Sequence, residues 1–310
     1  MKKLSLSTLA LLALTLLSTA CEKHFNEPMV LGGQEVSAAI LNQGKEKFMQ
    51  NCYACHGETG NGKGPASHYM RPVPRDFTHP EAYFKFGGVE AGQLPNDETL
   101  TQIIKKGLNG TPMLPWDLAD KDIHAIIQYI KTLSPRWQKE KPGKMVVAPK
   151  DPWEGNEAAG VEEGKNLYHA TVQCARCHPS YVTKQELFDV TKKLLGYEMT
   201  EIADNIYDPQ LRDSSYGHKL LPIDFTYHPI KTGTEPKRLY QTIAAGIGGT
   251  AMPAWSSLTA QDLWALTHYV KSLADIRDTP KALALQKALR SQPPFVAPQP
   301  DVENSDAVEN

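Results

Sequence analysis

Residues 52–56 read CYACH and residues 174–178 read CARCH. Each stretch sets two thiols within one helical turn and an imidazole directly after the second. Two thioether bonds to a porphyrin and one axial nitrogen on its iron need that spacing, so both stretches read as covalent haem attachment sites. Paired CxxC motifs also bind zinc, and single ones act as redox dithiols. A zinc ribbon places its pairs roughly 15–20 residues apart. Here the pairs stand in opposite halves of the chain, each with its own histidine, which favours haem over zinc or dithiol chemistry.

Working outward, more than the cysteines recurs. GKEKFMQNCYACH from Gly44 matches GKNLYHATVQCARCH from Gly164, and RDFTHP from Arg75 matches IDFTYHP from Ile223. LTQIIKKGLNGTPMLPW from Leu100 matches LYQTIAAGIGGTAMPAW from Leu239, and DIHAIIQYIKTL from Asp122 matches DLWALTHYVKSL from Asp262. Four blocks in one order make a duplicated domain and not a solenoid, whose period is far shorter. Apolar residues fall at helical spacing, at Leu100, Ile103 and Ile104 and again at Ile123, Ile126, Ile127 and Ile130. Leu263, Leu266 and Val270 repeat that face, after a start capped by Thr259 with Asp262. Glycine and proline gather between these segments, in GETGNGKGP and NGTPMLP, where turns are expected. No alternating strand pattern competes.

Met113 and Met252 hold one position in the repeat, each three residues before a tryptophan, Trp116 or Trp255. A lone methionine is usually core filler. Repeated in register with proline and tryptophan, each becomes the candidate for the iron's second axial position, opposite His56 and His178. A thioether there favours ferrous iron and raises the reduction potential. After His178 the second repeat carries an insertion, about residues 180–220, that brings Met199 and His218 in as alternative ligands.

CxxCH, a later methionine beside proline and a closing helix with aromatic and branched residues together resemble the class I cytochromes c, over nearly the whole mature chain. The resemblance implies a mostly α fold: two tandem class I cytochrome c domains, each a small helical fold around a covalently bound haem c. Cys52 and Cys55 would carry one haem and Cys174 and Cys177 the other, giving two haem c in all. It also implies that each opening helix crosses the closing helix at a glycine and an aromatic, Gly44 with Phe48 and Gly164 with Tyr168, near Tyr129 and Tyr269. By the same likeness the carbonyl of Pro65 would accept the ring N–H of His56. The second repeat lacks that glycine-rich loop and offers no such partner for His178. Arg75 reads as a surface residue or as a partner for a haem propionate.

The chain opens MKKLSLSTLALLALTLLSTAC, with Lys2 and Lys3 before an apolar run and then small residues, the layout of an export signal. LLSTAC resembles a lipoprotein processing site, so residues 1–21 are expected to be a signal of lipoprotein type with Cys21 taking the lipid. Ser18 departs from the branched residue preferred there and leaves ordinary cleavage as the alternative. Residues 22–35 then form a tether, 36–134 the first domain, 135–155 a proline-bearing linker and 156–278 the second domain. Residues 279–310 read as a mostly disordered acidic tail with one short helix from Pro280 to Arg290. The expected location is the periplasm, on a lipid anchor, with the outer membrane favoured because Glu22 and not Asp follows Cys21. With four of five cysteines in the two pairs, no disulfide framework is left. The net charge of −2 shows no basic excess for nucleic acid.

A haem held between His and Met has no open coordination position, which leaves outer-sphere electron transfer. The expected function is a dihaem electron carrier or respiratory-complex subunit, with an oxidase, a quinol-oxidising complex or a periplasmic dehydrogenase as partner. The alternative is a dihaem redox enzyme, peroxidase-like or thiosulfate-dehydrogenase-like, with substrate at the second haem. The duplicated methionine block weighs against it.

Overall fold

The computed structural model describes residues 24–79, 81 and 84–298. The signal segment with Cys21, and residues 299–310 of the tail, lie outside the described residues. Among the described residues no helix is long and apolar enough to cross a membrane.

Each domain is built on two helices crossing at a glycine. In the first, the opening helix Ala38–Asn51 packs on the closing helix Asp120–Thr132. A Cβ on Gly44 would lie 2.0 Å from the Ala125 carbonyl oxygen, so only glycine lets the backbones approach this closely. Phe48 fills the space beside the crossing, its ring 5.2 Å from Tyr129. The second domain repeats the device with Glu157–Asn166 on Ala260–Asp275. Gly164 lies equally close to the Ala265 carbonyl, and Tyr168 stands 5.3 Å from Tyr269. A middle helix, Asp97–Lys106 or Pro236–Ala245, completes each domain. Side chains of Asn96 and Thr259 cap Asp97–Lys106 and Ala260–Asp275 by accepting the backbone N–H groups of Thr99 and Asp262.

The second repeat has two more residues than the first between its glycine and its first cysteine, Gly164 to Cys174 against Gly44 to Cys52. A π-helical turn over Leu167–Thr171 and a left-handed Gln173 (φ 59°) take up the excess. Widening the helix there accommodates the extra residues ahead of Cys174.

Three segments differ from the sequence expectation. The tether at 22–35 contains an antiparallel hairpin, Met29–Leu31 with Gln34–Val36, turned by Gly32 and Gly33 at φ 62° and 81°. Two glycines at positive φ suit the tight turn that matches strand twist. Leu31 and Val36 pack with Leu41, Leu94 and Trp137. The linker is bound to both domains and not merely a spacer: Val146 N–H donates to the Gly88 carbonyl, and Gln241 and Trp264 donate to the carbonyls of Val146 and Pro149. The tail keeps its helix Pro280–Arg290, but residues 291–298 return onto the insertion. There Lys184 Nζ donates to the Pro293 carbonyl at 3.0 Å, and Phe295 lies 5.5 Å from Phe188.

The domains also meet directly. Asn109 N–H donates to the Lys231 carbonyl and Ala91 N–H to that of Ala245, while Gly248 lies against the backbone of Phe84. Arg238 pairs with Gln102 and Ser256 with Glu90 across the same boundary.

Candidate haem sites

The opening helix ends at Cys52, and a short helix Tyr53–His56 follows it. The N–H groups of Cys55 and His56 both donate to the Cys52 carbonyl, which fixes the two thiols and the ring on one turn. His56 Nδ1 donates to the Arg75 carbonyl at 3.0 Å, and the Phe77 ring stacks on the imidazole at 4.6 Å and 22°. A carbonyl can only accept, so Nδ1 carries the hydrogen and Nε2 keeps its lone pair for a metal. Burial pushes the His56 pKa below its ordinary value, against the hydrogen bond to Arg75, and favours the neutral ring.

The tripeptide after Arg75 sets that carbonyl. Thr78 donates its N–H and its hydroxyl to Asp76 Oδ1, at 2.8 and 2.6 Å, closing a tight side-chain turn around Phe77. The second domain copies each part. His178 Nδ1 donates to the Ile223 carbonyl at 2.9 Å, Phe225 stacks on the ring at 4.9 Å and 22°, and Thr226 makes both bonds to Asp224. Burial lowers the His178 pKa as well. Asp224 is buried and further held by Tyr181 and Gln286, the latter from the C-terminal helix.

This corrects the expectation for Pro65. The glycine-rich loop wraps the backbone of the attachment turn and not its ring: Gly62, Gly64 and Ala66 donate to the carbonyls of His56, Cys55 and Ala54. A Cβ on Gly64 would lie 2.4 Å from the Ala54 carbonyl oxygen. The ring N–H goes to Arg75 instead, and the matching Ile223 supplies the partner that His178 lacked in the sequence. Asp76, Phe77 and Thr78 were visible only as a repeated tripeptide, a sufficient signal of a shared role.

The methionine loops are also alike. Leu108 N–H donates to the Met113 carbonyl at 2.8 Å, and Met113 N–H to the Thr111 hydroxyl at 3.1 Å. Ile247, Met252 and Thr250 repeat the pattern at 3.1 Å for both bonds. Gly107 at φ 65° lets this loop close on the end of the middle helix, since a Cβ there would meet the Met113 carbonyl oxygen at 2.5 Å.

Cys52, Cys55, His56 and Met113 line one cavity of about 380 Å³, with Phe48, Leu100, Ile104 and Ile126 among its apolar walls. Two thiols, one free imidazole nitrogen and one thioether around an apolar cavity fit a haem c. Burial, and then Cys55, push the Cys52 thiol up to about 12, and burial foremost does the same for Cys174. Both are therefore neutral groups in apolar surroundings, as thioethers would be. In the second domain Cys174 and Trp255 pack against one core cluster with Tyr168 and Phe225. Cys177 Sγ accepts from Arg212 Nε of the insertion at 3.2 Å, a contact the sequence did not show. Met199 packs into the insertion's own cluster with Leu187 and Phe188, and His218 is exposed beside Tyr216. Neither lies in a loop built like that of Met113, whereas Met252 does. Among the described residues no three His, Cys, Asp or Glu side chains converge as a metal-binding group.

Known proteins show the same two-part pattern. Residues 41–134 match the cytochrome c family, and residues 159–270 match the family of cbb3-type cytochrome c oxidase subunit III. Cytochrome c6 of Cyanidioschyzon merolae is 29% identical over 97 residues, 31% of this chain and 78% of that protein. Cytochrome c6 of Gracilaria tenuistipitata var. liui is 27% identical over 93 residues, 30% of this chain and 72% of that protein. A chain from the Kuenenia stuttgartiensis reducing HAO-like protein complex is 29% identical, with a TM-score of 0.59, covering 74% of this chain and 95% of its own. That coverage exceeds either domain alone, so the likeness takes in the pair. Fold and site together thus define helical domains that carry haem c and transfer electrons through it. The chain belongs to the class I cytochromes c, with two such domains in tandem.

Proposed function

We propose that the protein binds two haem c and relays electrons between redox partners in the periplasm, tethered through a lipid on Cys21. The observation that carries this reading is the equivalence of the two sites, each with a neutral histidine held at Nδ1 by a backbone carbonyl and a hydrogen-bonded methionine loop. A bound haem c supplies a one-electron ferric–ferrous couple. The chain's part is to orient His56 and His178 and to offer Met113 and Met252 opposite them. It also lines the first cavity with apolar side chains, and burial and axial ligand together tune the potential. With His and Met holding the iron at both sites, no position would be left for oxygen, peroxide or another substrate.

The partner proposed is a respiratory or other periplasmic redox complex, an oxidase foremost. Supporting this are the second domain's match to an oxidase subunit family and a structural relative that is itself a chain of a complex. The bonds between the domains favour fixed haem positions, as a relay needs. Val73 and Leu114 line the first cavity and are 49% and 64% exposed, an apolar rim where a partner can approach.

Near-infrared magnetic circular dichroism of the oxidised holoprotein is expected to show two His/Met signals. One high-spin or differently ligated haem would instead make the second domain an active site, the reading that its insertion favours. Met113→Ala is expected to keep the first haem attached through Cys52 and Cys55, lower its potential and let its ferrous iron bind carbon monoxide. A carbon monoxide difference spectrum like that of the native protein would give the position to another residue.

A further inference from the structure

The first haem cavity is not built by the first domain alone. Lys231, from the second domain, lines it together with Arg75 and Lys85 of the first. All three side chains are partly buried. Among the described residues none of them forms an ion pair with a carboxylate. Burial foremost, then the charges of Arg75 and Lys231, bring Lys85 down to about 8, and burial lowers Lys231 too. Like charges gathered at an apolar cavity repel and lose hydration, an arrangement that calls for anions between them. What holds them together in the protein is an aromatic face: Arg75 Cζ stands 3.9 Å, and Lys85 Nζ 4.9 Å, from the centre of the Tyr216 ring. Tyr216 belongs to the insertion, and its hydroxyl donates to the Gly248 carbonyl beside the Met252 loop.

We propose that Arg75, Lys85 and Lys231 form an anion site, split between the two domains, that takes the propionate carboxylates of the haem carried by Cys52 and Cys55. The second domain thereby completes the first domain's cofactor site with Lys231, and the insertion supplies Tyr216 as the face on which Arg75 and Lys85 stand. Two carboxylates would answer the repulsion among three cations, of which, among the described residues, only Arg75 has a carboxylate near it, that of Asp76. Through Tyr216 and Gly248 the same contacts set this anion site beside the loop of Met252. This rests on the haem assignment proposed above.

The test is a spectroelectrochemical redox titration of the full-length holoprotein as native, Lys231→Met, Lys231→Arg and, as a control, the exposed Lys150→Met, with haem per chain counted as the pyridine haemochrome. Removing a cation beside ionised propionates favours ferric iron. Lys231→Met is therefore expected to lower the potential of one haem and leave the other in place, at unchanged haem content. Lys231→Arg should restore the native curve and Lys150→Met should not move it. A native-like curve for Lys231→Met at two haems per chain would overturn the split site and leave the relay standing. Native protein with no haem at Cys52 and Cys55 would overturn both.

Discussion

Replacing Gly44 with alanine is expected to destabilise the first domain by about 3 kcal/mol or more, a change on the scale of the worst overpacking substitutions. Elsewhere in a helix the same change helps, since alanine exceeds glycine in helix propensity by about 1 kcal/mol. Here the new Cβ would lie 2.0 Å from the Ala125 carbonyl oxygen and 2.9 Å from Tyr129 Cβ. The nearer obstacle is backbone, which no rotamer change can clear, so the helices Ala38–Asn51 and Asp120–Thr132 have to separate. Separation also loosens Phe48 from Tyr129 and from Phe77, which stacks on His56. For a domain of this size the loss corresponds to a fall of roughly 10–20 °C in melting temperature. Thermal unfolding of the holoprotein followed by circular dichroism reads it directly. Gly164→Ala should do the same to the second domain, because its Cβ would meet the Ala265 carbonyl at the same distance. A melting curve unchanged for either variant would mean the crossing tolerates a wider approach than its geometry allows.

Much of this was legible in the sequence because it is local. Thiols and imidazole share one turn, the methionine loops repeat in register, and glycine stands where two apolar helix faces must cross. Gly32 and Gly33 between Met29 and Val36 also carried a hairpin signal, hidden by the shortness of the strands. What was not legible depends on contacts far apart along the chain. The carbonyl that orients His56 comes from Arg75, because the glycine-rich loop is occupied with the attachment turn's backbone and the Asp76–Thr78 turn reaches the ring instead. Lys231 of the second domain lines the first cavity and Tyr216 stands under Arg75 and Lys85 beside it, and no periodicity or spacing encodes that contact between domains. The linker and residues 291–298 read as polar, proline-rich chain. Their order comes from backbone groups paired with the domains and from Trp137 and Phe295 finding apolar partners.

His56→Ala is expected to remove the first haem and leave the second, taking the chain from two haems to about one. The substitution deletes the nitrogen proposed to hold the iron and the ring that Phe77 stacks on, and it leaves the Arg75 carbonyl without its donor. An unsatisfied buried carbonyl costs about 1–3 kcal/mol, and the emptied ring volume adds a cavity term. Among the described residues no other imidazole lines the cavity. His79 follows the Asp76–Thr78 turn and His68 lies on the Ser67–Tyr69 turn, and neither lines the cavity. The second site is built from its own backbone, with Ile223, Asp224 and Thr226 around His178, so its His/Met signal should persist. His178→Ala should give the mirror result. Its effect on the fold should be the larger, because Phe225 packs with Tyr168, Tyr181 and Tyr269 in the core of the second domain. The pyridine haemochrome gives the stoichiometry, and near-infrared magnetic circular dichroism shows which ligation remains. A His56→Ala protein that retained two normal low-spin haems would take the iron away from this histidine. The donors to test next would be Met70, Lys85 and Lys231, which line the same cavity as Cys52, Cys55 and Met113.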